Sequence, residues 1–402
     1  AAAAHPAATA APAMPATAPT APAAPAPETA APAPAAPAAA PQPAEPVVAL
    51  GMAQVETMRL PGNMLGAGFE FLRLEVKGAP QPLAFLLGTA FPVNALTPRG
   101  RELLPGPSTS YSGGWLSQAT QAASTVDLEG VRLWGSGAAI DDIKGCEVLE
   151  FPQAQLLGQL GVEVHGVLGQ PFFEQYDMDL DRYGQRAQFY SPGQAAAQGF
   201  YSTVRHLPGI ALPSGNLGVV LTGSAVDDDL DERKATFVGL VDSSAAHTIV
   251  NWEAAKLLGY SGPTDPKLMA ATKVLGAGKT GQAEEMPVVQ ARFSLCGVPQ
   301  GVKPMLLSVS QEEFKASGGK GWYFEEKTLQ GGPACLELGA VNIAIGDVLG
   351  LSVLTDSMIG PFTGAAAIVG QDLLFQAQRV VVNLRDKNLW LEPGDVRDAP
   401  EM

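Results

Sequence analysis

The stretch Phe237-Val238-Gly239-Leu240-Val241-Asp242-Ser243-Ser244-Ala245-Ala246-His247-Thr248-Ile249-Val250 decides the reading of this chain. An apolar run of strand type ends on an acid. Two small hydroxyl residues and a small-residue turn follow, then a second short apolar run. Asn251 next supplies an N-cap for a helix from Trp252 to Leu258. A single acid at the mouth of a buried strand, among residues small enough for close backbone approach, marks a turn built to meet another surface.

The same layout occurs earlier as Phe85-Leu86-Leu87-Gly88-Thr89-Ala90-Phe91-Pro92-Val93-Asn94-Ala95-Leu96. The two copies align without a gap through the helix starts Thr97-Pro98 and Asn251-Trp252. Both helices close on a Leu pair, Leu103-Leu104 and Leu257-Leu258. Thr89 stands where Ser243 stands, and Gly88 stands where Asp242 stands. A second signature closes each copy: Val167-Leu168-Gly169-Gln170 in one, Ile368-Val369-Gly370-Gln371 in the other.

The doubled pattern resembles the aspartic proteases of the retropepsin/pepsin superfamily. Their active-site segment reads apolar-apolar-Asp-Thr/Ser-Gly-Ala/Ser, and an apolar-apolar-Gly element lies beneath it. The resemblance covers Met58 to Gly394 in layout and rests on two short motifs per lobe. It implies an all-β fold with a few short helices. Two pseudo-symmetric retropepsin-like lobes would form a pepsin-like bilobal molecule, each lobe offering one turn to a central cleft. It also implies a β-hairpin flap over the cleft. The candidates are Gly113, Gly114 and Trp115 in the first lobe and Gly276, Ala277 and Gly278 in the second. Trp322, Tyr323 and Phe324 are further candidates for the lining of a peptide groove.

Composition fits this layout. Gly and Pro are abundant among short β-branched runs, which suits many strands and turns. The expected boundaries are a disordered Ala/Pro-rich tail at 1–57, lobe 1 at 58–193, a linker at 194–205, lobe 2 at 206–394 and a C-terminal tail at 395–402. Pro recurs through the first 46 residues, which forbids helix, and Ala offers nothing large to bury. The start without Met and the tail composition lead us to expect a removed presequence and a chloroplast address. The net charge of −15 provides no basic stripe for nucleic acid and disfavours anionic membrane. No run approaches the ~18 apolar residues of a spanning helix. Cys146, Cys296 and Cys335 are scattered and odd in number, and are read as three reduced, buried thiols. The run Asp227 to Glu232 lacks the ligand spacing of a calcium loop and reads as a solvated hairpin tip.

Aspartic proteolysis needs two carboxyl groups that share one proton, one activating water and the other donating to the scissile carbonyl. Here Gly88 leaves one half empty. Between Phe71 and Val126 the only acids are Glu75 and Glu102, neither placed to reach the turn. Ser244 takes the position usually held by Gly, so a side chain is expected to loosen the approach of the two turns. The site is therefore Asp242 and Ser243 facing Gly88 and Thr89, with one acid instead of two. His247 beside Ser243 and Ser244 raises a serine hydrolase as a weaker reading. Gly276-Ala277-Gly278-Lys279-Thr280 imitates the end of a phosphate loop, but its leading Gly is replaced by Lys273. No cofactor or metal is implied. The expected function is a pseudoenzyme that binds a protein or extended peptide segment as a scaffold or assembly subunit of a larger complex. The alternative is an active aspartic endopeptidase that pairs Asp242 with a second acid.

Overall fold

The computed structural model describes residues 49–112, 122–195, 204–226, 234–278, 282–308, 321–332, 334–354 and 361–394. The Ala/Pro tail, the Asp227–Glu232 run, the flap residues Gly113, Gly114 and Trp115, and the C-terminal tail lie outside them.

Strands dominate, and the two lobes follow one path. In lobe 1 the hydrogen-bonded order is Gly68–Glu75, Leu83–Leu87, Gly166–Leu168, Ala95–Leu96, Ile143–Val148, Ala122–Leu128 and Thr109–Ser112. In lobe 2 it is Leu217–Ala225, Ala235–Val241, Ala366–Val369, Ile249–Val250, Cys335–Ile345, Ala283–Cys296 and Lys273–Ala277. Each strand occupies the place of its counterpart, so the fold is the expected pepsin-like pair of β lobes. Lobe 2 adds one contact, because Leu217–Ala225 also pairs with Ala283–Cys296. The two N-capped helices form as read. Thr97 Oγ1 accepts from Gly100 N–H ahead of Pro98–Glu102, and Asn251 Oδ1 accepts from Ala254 N–H ahead of Trp252–Leu257.

A separate run of strands ties the lobes together. Its order is Arg205–Pro208, Asn388–Pro393, Ala377–Asn383, Asp177–Asp181, Arg186–Tyr190 and Gly51–Arg59. The central pair belongs to different lobes and runs antiparallel, with Met178 opposite Val382 and Leu180 opposite Val380. Across this seam Arg379 grips the buried Asp179 with two bonds of 2.7 and 2.6 Å. The hairpins at either end of the run turn through left-handed residues, Gln185 at φ 47° and Lys387 at φ 55°. The linker ends are anchored here as well, with Ala195 and Val204 packed beside Tyr190, Val381 and Trp390. One hydrophobic cluster spans both lobes, including Phe85, Phe172 and Phe189 of the first and Phe237, Phe293 and Leu389 of the second.

Two expectations change. The ordered chain begins before Met58, because Gly51–Arg59 is a strand that pairs with both Arg186–Tyr190 and Gly68–Glu75. Its inward residues are only Ala53 and Val55, so its alternation is faint in sequence. The cysteines are not three free thiols. Cys296 and Cys335 face each other in register across adjacent strands and form a disulfide, although they lie 39 residues apart in sequence. Spacing alone cannot show this, since strand pairing creates the proximity. Cys146 is free and buried, and burial pushes its thiol up to about 12.

Closing a 39-residue loop should matter to stability. Urea unfolding with and without reductant should differ by about 2–4 kcal/mol, and Cys335→Ser should lose the same amount without responding to reductant. Burial also pushes Asp177, at the start of the central bridging strand, up to about 6, against a bond from Ala195 N–H at 3.0 Å. A carboxyl whose folded pKa lies above its unfolded value favours folding when protonated. That contribution is complete below about pH 4 and disappears as pH rises through 6. Asp177→Asn keeps an acceptor for Ala195. It should therefore be more stable than wild type by about 2 kcal/mol at pH 7 and equal to it at pH 4.

Candidate functional site

Each lobe's buried strand delivers one turn to the centre. Leu83–Leu87 ends at Gly88-Thr89-Ala90, and Ala235–Val241 ends at Asp242-Ser243-Ser244. The turns interlock through two hydroxyl groups. Thr89 Oγ1 accepts from Ser243 N–H at 3.1 Å and donates to Val241 O at 2.9 Å. Ser243 Oγ accepts from Thr89 N–H at 3.1 Å and donates to Leu87 O at 2.9 Å. Both side chains are buried.

The support beneath is equally symmetric. Gly88 N–H donates to Leu168 O at 2.9 Å, and Asp242 N–H donates to Val369 O at 3.1 Å. Gln170 N–H reaches Phe91 O at 2.6 Å, and Gln371 N–H reaches Ala245 O at 2.8 Å. Gly169 N–H is held by Asn94 Oδ1 at 2.9 Å, and Gly370 N–H by Thr248 Oγ1 at 3.2 Å. The two glycines are required by space. A Cβ at 169 would lie 2.0 Å from Val93 O, and one at 370 would lie 2.4 Å from His247 C. This is the physical content of the second repeated signature.

The symmetry stops at the acid. Asp242 Oδ1 accepts from both Ser244 N–H, at 2.8 Å, and Ser244 Oγ–H, at 2.6 Å. Burial pushes the carboxyl above the ordinary carboxylate range, the Ser244 bonds pull the other way, and no other charged group contributes. Opposite, Gly88 offers only backbone. A Cβ there would stand 2.8 Å from Val167 Cγ2 and 3.0 Å from Phe91 Cβ, so the position is tight for any side chain.

Ser244 does not loosen the approach of the turns. Its side chain folds back on Asp242 and is buried. The small residues beside the turns cross over instead: Ala90 packs into a lobe 2 cluster with Val238 and Leu240, and Ala246 into a lobe 1 cluster with Phe69 and Phe91. No serine–histidine pair forms, because the hydroxyls of Ser243 and Ser244 are engaged as described. The His247 imidazole is pushed down to about 4 by burial and is neutral.

Sequence reading missed a third layer. Glu70 is fully buried on the strand Gly68–Glu75. Arg182 holds it with two bonds, 2.7 and 3.1 Å, and also donates to Leu374 O and Ala377 O across the lobe boundary. Gln371 Nε2 donates to Glu70 Oε2 at 3.1 Å and to Ser243 O at 2.8 Å, linking this ion pair to the turn. Glu70 is thus a paired structural anion beneath Ser243. The available signals were an acid between Phe69 and Phe71 and an arginine at a hairpin tip, contacts no local pattern joins.

The strands next to the flap candidates pair antiparallel where described. Thr109–Ser112 pairs with Ala122–Leu128 in lobe 1. In lobe 2, Gly276 pairs with Glu284 and Ala277 with Ala283, and Gly278 bridges to Val348. Gly276–Gly278 is therefore hairpin strand and not a loop leading to a helix. Trp322–Phe324 forms a small ladder with Leu306–Ser308, in which Phe324 is buried beside Phe362 while Trp322 and Tyr323 are half-buried. Among the described residues, no group of three acids, histidines or cysteines could hold a metal, and no helix is long and apolar enough to cross a membrane.

No family model matches the chain, and no curated protein matches it. Solved structures similar to it include basic 7S globulin from soybean, 11% identical over 89% of this chain and 98% of that one, with a TM-score of 0.39. Conglutin gamma, a basic 7S globulin from lupine seeds, is 10% identical over 87% of this chain and 97% of that one, with a TM-score of 0.42. An aspartic proteinase from Irpex lacteus is 12% identical over 87% of this chain and 98% of that one, with a TM-score of 0.37. The bilobal assignment rests on the strand order and the interlocked turns, not on these neighbours.

The interlock makes a quantitative demand. Thr89→Val leaves Ser243 N–H and Val241 O buried without partners, and should cost about 2–4 kcal/mol in urea unfolding. Thr89→Ser keeps the hydroxyl and should stay within about 1 kcal/mol of wild type.

Proposed function

We propose that this chain is a catalytically silent protein of aspartic-protease architecture whose cleft binds an extended polypeptide segment of a partner. The observation that carries this reading is the pairing of Asp242 with Gly88. Peptide hydrolysis of this type needs one carboxylate to take a proton from water while a second carboxylic acid donates to the carbonyl. A lone carboxyl group cannot do both in one step. Asp242 is moreover occupied by the Ser244 hydroxyl and amide, and Glu70, the buried acid linked to the turn through Gln371, is committed to Arg182.

Binding needs no acid. Lys273–Ala277 lies at the edge of its sheet, and Leu275 on that strand is 75% exposed. An edge strand carries free backbone groups, and an extended segment can add to it as one more strand. The partner class is therefore a polypeptide in extended form, delivered by a larger assembly of which this chain is a subunit.

Two measurements test the reading. Purified protein and Asp242→Ala are incubated with unfolded casein from about pH 3 to 8, the range that brackets a carboxyl pair. Neither should cleave it. Cleavage by wild type that Asp242→Ala abolishes would overturn the proposal. In fluorescence anisotropy, labelled unfolded casein should bind both forms equally, and Leu275→Asp should weaken binding by about tenfold. Absence of binding to wild type would overturn the peptide-binding half of the proposal.

A further inference from the structure

The seam between the lobes carries a feature that shares no residue with the turn interlock or with the edge strand Lys273–Ala277. Arg59 ends the lobe 1 strand Gly51–Arg59, and Phe375 follows the lobe 2 helix Gln371–Leu374. The Arg59 guanidinium carbon lies over the Phe375 ring, 4.3 Å from its centroid. The Arg182 guanidinium carbon lies 4.8 Å from the same centroid. One half-buried ring therefore serves two cations.

The two arginines differ in what their donors do. The Arg182 side chain is 10% exposed, and its N–H groups go to Glu70, Gln371 Oε1, Leu374 O and Ala377 O. Its charge is matched by Glu70, which is fully buried and also accepts from Gln371. Arg59 is exposed, and among the described residues it has no hydrogen bond and no ion pair. Its guanidinium stays charged and offers five N–H donors in one plane. Burial, and then the Arg182 charge, lower its pKa, and only Glu70 opposes them. Since Glu70 and Arg182 cancel, Arg59 is an uncompensated cation on a chain whose net charge is −15.

These properties narrow the class of partner. A guanidinium fork with free donors matches the two oxygens of a carboxylate or phosphate. A phosphate dianion would bring two charges to one uncompensated cation, within the field of a strongly negative chain. A carboxylate brings one. An arginine held over an aromatic ring loses less freedom on binding than a mobile one, and both residue types are enriched where protein partners bind most tightly. We propose that Arg59, stacked on Phe375, is a docking point for a carboxylate side chain of an acidic segment in a partner polypeptide. This inference does not rest on the peptide-binding reading of the cleft.

The test uses the peptide acetyl-Ala-Glu-Phe-Glu-Ala-amide and its counterpart with Gln in place of both Glu. The full chain, labelled with ¹⁵N-arginine, is titrated at low salt while the Arg59 Nε–H resonance, identified by its absence from Arg59→Gln, is followed. The Glu peptide should shift that resonance saturably in the range of about 1–20 mM, at least about tenfold more tightly than the Gln peptide. The affinity should fall in about 0.5 M NaCl. Arg59→Lys keeps the charge and loses the fork, while Phe375→Leu keeps Arg59 and loses the ring. Each should weaken Glu-peptide binding, read by ligand-observed NMR, at least about fivefold. Arg59→Lys changes an exposed position and should leave the unfolding midpoint unchanged, so it decides the matter if Phe375→Leu fails to fold. No saturable shift up to about 50 mM Glu peptide, equal affinity for the Gln peptide, or undiminished binding by either folded variant would overturn the proposal. Tighter binding of inorganic phosphate would overturn the carboxylate assignment, and equal affinity for acetate would overturn the polypeptide source.

Discussion

The centre of this molecule depends on two hydroxyl groups that cross between lobes. Thr89 and Ser243 each accept the other's backbone N–H and donate to the carbonyl at the end of the other's strand. Four backbone groups that would otherwise be buried and unsatisfied are paired in one step. The arrangement demands small neighbours, close approach and strands that end at the same depth. The parallel pairings of Leu83–Leu87 with Gly166–Leu168, and of Ala235–Val241 with Ala366–Val369, set that depth.

None of these bonds uses a carboxyl group. The hydroxyls therefore hold the two turns together whether or not a turn carries an acid. Gly88 illustrates this. It makes the backbone bond to Leu168 that its counterpart makes to Val369, while Val167 and Phe91 stand where a side chain would need space. On the other side, Ser244 engages one oxygen of Asp242, Oδ1, within the same turn. The buried charges below follow the same rule: Glu70 and Asp179 are each met by an arginine fork, and both forks cross the lobe boundary to reach backbone or carboxylate.

Much of this was legible in the chain because it is written twice. The turn after Leu87 and the turn after Val241, the caps Thr97 and Asn251, and the glycines 169 and 370 recur in order, and each recurrence reflects one local geometric need. What stayed hidden was non-local. The faint alternation of Gly51–Arg59 acquires meaning only between its two partner strands. Cys296 and Cys335 become neighbours only once their strands are paired in register. Glu70, Arg182 and Gln371 come from three separate segments and meet only when both lobes are assembled.

The sequence by itself determined the doubled lobe, the position of each turn and the absence of an acid at 88, since these depend on residue type at fixed spacing along one strand and turn. Tertiary structure decided what the surviving groups do. Ser244 looked like an obstacle and instead donates its hydroxyl to Asp242, buried within the turn. His165 belongs to no motif of the sequence. The Ala84 amide, from a neighbouring strand, occupies its Nδ1 and so places its proton on Nε2. The chemistry of both side chains was readable, but the rotamer of one and the distant partner of the other are decided only by folding.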